Sequence, residues 1–181
     1  MAERRFGGVD VLVNNAGIFA PKPFLDHIEA DYDRFAGTIL KGKFFMVQAA
    51  AKAMKARGGG AIVQTGSMWA LQAVAATPSS AYSVANAGVH QMVKTLAIEL
   101  AADRIRINAV ALAVVETPVY GTFIAADQVA GVLAGFHAFH PLGRIGQPKD
   151  VVGAKLFLAS HEADWITGTI LPVDGGVMAG R

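Results

Sequence analysis

Residues 62–100 read IVQTGSMWALQAVAATPSSAYSVANAGVHQMVKTLAIEL. Ile62 and Val63 belong to an apolar strand whose end delivers Ser67; a loop closed by Pro78 follows, then a helix that starts on Ser79 or Ser80. Ala81, Ala85, Val89, Val93, Leu96 and Leu100 keep helical spacing, as one buried face requires. Tyr82 and Asn86 lie four residues apart, so they point the same way, towards the strand end that carries Ser67. A hydroxyl and a phenol can therefore meet over one small site.

On either side the chain alternates strand and helix. Residues 9–13 (VDVLV) form a short apolar run that ends in Asn14-Asn15-Ala16-Gly17, a strand followed by a turn. After Pro21 and Pro23 an acidic helix start near 29–33 leads into a long buried helix over 35–54, stopped by Gly58-Gly59-Gly60. Residues 104–110 (RIRINAV) are a further strand, and Thr117-Pro118 opens a mobile apolar segment that runs to His140. Pro148 starts another helix to Ser160, and 169–173 (TILPV) is a last strand before Asp174-Gly175-Gly176. This order predicts one α/β domain over 1–181, a Rossmann-like, doubly wound parallel sheet built from runs near 9–13, 61–66, 105–110 and 169–173.

Composition narrows the function. With 53% hydrophobic residues in 181, a sizeable core is expected, and the net charge of +2 leaves no footprint for nucleic acid. The absence of cysteine excludes disulfides and thiol chemistry. No apolar run has the length of a signal peptide or membrane span, so a cytoplasmic location without membrane association is expected. His137 and His140 read as ordinary loop histidines, with no acidic or cysteine ligand spaced to join them, so no metal site is expected.

NNAG, strand-end Ser67, Tyr82 on the next helix, RINAV, Thr117-Pro118 and the terminal DGG occur together in one order. In this the chain resembles the short-chain dehydrogenase/reductase family along essentially its whole length. The resemblance implies an NAD- or NADP-linked exchange between a small apolar alcohol and its ketone. Ser67 would polarise the carbonyl and Tyr82 would be the general acid or base, with Asn86 the third catalytic position. Asn15, Ala16, Gly17, Tyr82, Asn86, Val115 and Thr117 would wall the cofactor site. Family members also pair their long helices across a two-fold axis, which implies a homo-oligomer.

Four departures from the family pattern bear on activity. Asn86 stands where the family has lysine, Ile39 where it has a water-holding asparagine, and Leu112-Ala113 where it has Pro-Gly. No glycine-rich phosphate-binding turn precedes NNAG, so an N-terminally truncated fold with an unpaired edge on its first strand and weak dinucleotide binding is expected. If the family lysine lowers the phenol by roughly 3 units from about 10, its loss removes about 4 kcal/mol of bias towards phenolate. Weak or absent turnover follows, and the alternative is a non-catalytic relative that serves as an oligomerising scaffold or weak ligand binder.

Overall fold

The strands β1 (Val11–Asn14), β2 (Gly60–Ser67), β3 (Ile105–Leu112) and β4 (Ile170–Val173) pair in parallel in the order β1-β2-β3-β4. The computed structural model describes residues 5–75 and 77–180. All four expected strand runs are present, with their ends moved by at most two residues. The helices are α1 (Glu29–Phe35), α2 (Gly42–Arg57), α3 (Ser80–Glu99), α4 (Val129–Gly135) and α5 (Pro148–Ala159).

Period-two side-chain alternation divides the sheet's residues between two cores. Leu12, Ile62, Ile107 and Ala109 pack with Val47, Met54, Val89 and Val93 of α2 and α3 on one face. Val63 and Val110 pack with Val151 and Leu158 of α5 on the other. Helices thus cover both faces, the doubly wound arrangement. Each fully buried Ile or Val here contributes about 1.5–3 kcal/mol relative to its exposed state.

The single long helix expected over 35–54 is instead α1 and α2, joined without a break by a π turn over Ala36–Lys41. The Gly42 amide reaches back to the Gly37 carbonyl, five residues earlier, which widens the helix by one residue per turn at this point. Gly58 ends α2 in the left-handed region, φ 90°, where a side chain would clash with the backbone. Within the segment 119–140 lie the end of a 3-10 turn (Pro118–Thr122) and α4, and Leu133 packs in one cluster with Trp69. The segment's many small residues hide that periodicity in the sequence.

β1 lies at the sheet edge, and Val11 and Val13 are about half exposed on the α5 face. Asn108 of β3 ties down the approach to β4. Its amide donates to the Ile166 carbonyl at 2.9 Å and its oxygen accepts from the Thr169 amide at 3.1 Å.

The α3–β2 contact is tight because Gly66 has no side chain. A Cβ there would lie 2.2 Å from His90 Nε2. Gly66→Ala should therefore lose about 1–3 kcal/mol of stability in urea denaturation. His90→Ala in the same chain should recover part of that loss, so strictly additive effects would contradict the contact.

Candidate functional site

A cleft of about 850 Å³ opens over the carboxyl ends of β1, β2 and β3. This is where open α/β sheets hold their ligands, because loops diverge there and leave a crevice. Asn15, Ala16, Gly17, Tyr82, Asn86, Val115 and Thr117 all line it. The loop bearing Val115 and Thr117 is held by a bridge to the residues before α5: the Gly146 amide donates to the Val114 carbonyl and the Glu116 amide to the Gly146 carbonyl, both at 2.9 Å. Leu112 and Ala113, in place of Pro-Gly, also line the cleft.

Ser67 ends β2, opposite Leu112 of β3, and is almost wholly buried. Its hydroxyl accepts from the Trp69 amide at 3.2 Å, and its own amide donates to His90 Nε2 at 3.4 Å. Burial holds His90 down to about 4, with smaller contributions from Lys94 and Lys43, so the ring is neutral and can accept that bond. Tyr82, Asn86 and His90 follow one another at four-residue steps along α3, so one stripe of this helix serves the strand end.

Burial pushes the Tyr82 phenol up, and hydrogen bonding from the Ser67 side chain pulls it back only in part. Tyr82 meets Phe19 edge to face at 4.9 Å between ring centroids, and Phe35 at 6.3 Å. A second phenol, Tyr120, is pushed up to about 12 by burial, then by Tyr82, against the opposing backbone of Val115. The protonated, neutral phenol is the favoured form of both.

Asn86 points along its own helix. Its amide donates to the Tyr82 carbonyl at 3.0 Å, one turn back, and Ile39 fills the neighbouring wall of the cleft. Phe19, Trp69, Phe123 and Phe136 give the remainder an aromatic lining, with the Trp69 indole fixed by Thr77 Oγ1 at 2.8 Å. His137 is exposed, whereas His140 is buried and held by Nδ1 to the Phe136 carbonyl at 2.8 Å. Among the described residues no group of three His, Cys, Asp or Glu is placed to hold a metal ion.

Lys43 escaped the sequence reading. It is 3% exposed, lines the cleft, and its Nζ donates to the Thr65 carbonyl. The signal was available: Lys43 occupies the inward stripe Ile39, Lys43, Val47, Ala50, Met54, where a charge has no packing role. Asn14, also missed, is buried and donates to the Lys43 carbonyl at 3.2 Å. Burial, then repulsion from Lys155, lowers Lys43 from 10.5 to about 8.

A folded-state pKa of about 8 against 10.5 unfolded means that the folded chain binds fewer protons between those values. Stability should accordingly rise with pH across that window, until the buried phenols oppose it from about pH 10 upward. Lys43→Met should raise the free energy of unfolding at neutral pH by an amount on the order of 3 kcal/mol or less and flatten the rise. An unchanged pH profile in Lys43→Met would contradict the burial of the charge.

Known proteins resemble the chain closely. A family model described as enoyl-(acyl carrier protein) reductase matches residues 1–178. The 3alpha-hydroxysteroid dehydrogenase of Mediterraneibacter gnavus is 39% identical over 174 residues, covering 96% of this chain and 66% of that protein. The cis-4-hydroxycyclohexanecarboxylate dehydrogenase of Sinomonas cyclohexanicum is 41% identical over 179 residues, covering 98% and 69%. The crystal structure of a gluconate 5-dehydrogenase from Burkholderia cenocepacia in complex with NADP and tartrate superposes with a TM-score of 0.90 at 31% identity, covering 99% and 69%. The chain thus spans about two thirds of the length of the relatives it matches.

Proposed function

The chain belongs to the short-chain dehydrogenase/reductase family, and from that premise we propose that it is a slow NAD- or NADP-linked oxidoreductase acting on a small apolar alcohol or ketone. The observation that carries this reading is the hydrogen bonding between Tyr82, which lines a cleft walled by aromatic rings, and Ser67, buried at the end of β2. Ser67 and Tyr82 would hold the carbonyl oxygen, and the cofactor would supply or accept the hydride. Asn15, Ala16, Gly17, Asn86, Val115 and Thr117 would face the cofactor.

Two features make the turnover low and give it a direction. Ile39 holds no water for a proton relay, and Asn86 brings no charge to the phenol. With the Tyr82 phenol held up by burial, its acid form is plentiful at neutral pH and its base form is scarce. Reduction of a ketone, which needs the acid, is therefore favoured over oxidation of an alcohol, which needs the base.

Following absorbance of the reduced nicotinamide in both directions tests this. Ketone reduction should vary little with pH through neutrality, while alcohol oxidation should climb by about tenfold per pH unit below the phenol pKa. Tyr82→Phe should lower both by a hundredfold or more, on the order expected for a positioned acid or base. Oxidation that is already fast and flat with pH at neutrality would contradict the reading.

The family's pairing of long helices has a counterpart in exposed apolar groups on α2 and α3. Phe44, Phe45, Met46, Val84 and Ile98 are each 45% exposed or more. We propose that they meet in a homodimer. Sedimentation should give twice the mass of 18.9 kDa, and Phe45→Glu should shift it to the monomer. A monomeric unaltered chain would refute the dimer.

A further inference from the structure

Two ammonium groups converge where β1 stops. Lys43 reaches the strand end from α2, on one face of the sheet, and Lys155 from α5, on the other. The Lys43 Nζ donates to the Thr65 carbonyl. The Lys155 Nζ donates to Asn15 Oδ1 at 2.5 Å, and that same oxygen accepts from Thr65 Oγ1 at 3.1 Å. Thr65 and Asn15 thus link the two cations.

Neither cation is paired with a carboxylate among the described residues, although Lys22, Lys55, Arg57, Arg106 and Arg144 each have one. Buried charge is normally retained only with a partner, because desolvation is otherwise uncompensated. Lys43 has three donors. The Thr65 carbonyl occupies one of those donors, and the neighbours of Lys43 along the stripe, Ile39, Val47, Ala50 and Met54, offer no acceptor to the other two. Two desolvated like charges beside an open cleft are what an anionic ligand would relieve.

We propose that Lys43 and Lys155 form a phosphate-binding site at the carboxyl end of β1, in which Lys43 contacts the ligand and Lys155 adds to the field. The inference rests on the reading of the cleft as a dinucleotide site, and it assigns the phosphates of that ligand to the part of the cleft beside Thr65 and Asn15. A diphosphate suits two cations better than a carboxylate does, because it carries more than one negative charge.

Anion binding counters the burial and the repulsion that hold Lys43 at about 8, so the ligand should draw a proton onto it. The groups that interact with Lys43 are Lys155 from α5 and His90 from α3, with Tyr82 of α3 lining the same cleft. His90 is held near 4 and Tyr82 is pushed up, while burial lowers Lys155 as it does Lys43, which titrates at about 8.

The test is calorimetric titration of the full chain and its Lys43→Met and Lys155→Met variants with NADH, NADPH and inorganic diphosphate. Measurements at about pH 9, in buffers of different ionisation enthalpy, read proton uptake as well as affinity. Lys43→Met should weaken both the dinucleotides and diphosphate by on the order of tenfold or more and abolish most proton uptake. Lys155→Met, on a half-buried side chain, should weaken them less. Dinucleotide binding that is unaffected by either substitution would overturn the phosphate site while leaving the oxidoreductase reading standing. Diphosphate binding that depends on Lys43, with no dinucleotide binding, would sustain the site and overturn that reading. Failure of the unaltered chain to bind any of the three would overturn both.

Discussion

Everything at the site depends on a difference in length between two paired strands. β1 pairs with β2 only as far as Asn14 and Gln64, while β2 runs on to Ser67, opposite Leu112 of β3. The three residues beyond the step have no strand on their β1 side. The Thr65 carbonyl takes the Lys43 ammonium, and the Ser67 amide takes the His90 ring. Buried backbone groups require such partners, so the step in the sheet obliges side chains to gather there. Of these, Lys43 lines the floor of the cleft, and His90 packs against Gly66.

The same step explains why α2 and α3 carry polar groups on faces that otherwise pack a core. Val47, Ala50 and Met54 of α2, and Val89 and Val93 of α3, lie in one apolar cluster. One or two turns closer to the carboxyl end of the sheet stand Lys43, Tyr82 and Asn86, and His90 follows directly on Val89. The π turn before Gly42 keeps Ile39 and Lys43 on the cleft side of the helix. The cleft therefore carries a lysine on α2, at Lys43, and none at Asn86 of α3.

Much of this was legible in the chain because periodicity reports burial. The strand runs around Ile62, Ile107 and Ile170 and the helical stripe from Ala81 to Leu100 were placed to within two residues. Ser67 and Tyr82 could be brought together by topology alone. Lys43 was missed because a lysine in a helix is ordinarily solvated, and only its phase relative to Ile39 and Val47 reveals that it faces inward. The π turn changes that phase by one residue and has no sequence signature of its own. The rotamer of Asn86, which donates to the Tyr82 carbonyl, depends on packing and could not be read from its spacing.

The most direct measurement is an NMR titration of the Lys43 side-chain ammonium in the unliganded chain, assigned by comparison with Lys43→Met. A pKa of about 8 is expected, set by burial and by Lys155. A value at the ordinary 10.5 would mean that the ammonium is in water and not in the floor of the cleft, which would contradict the site described for it.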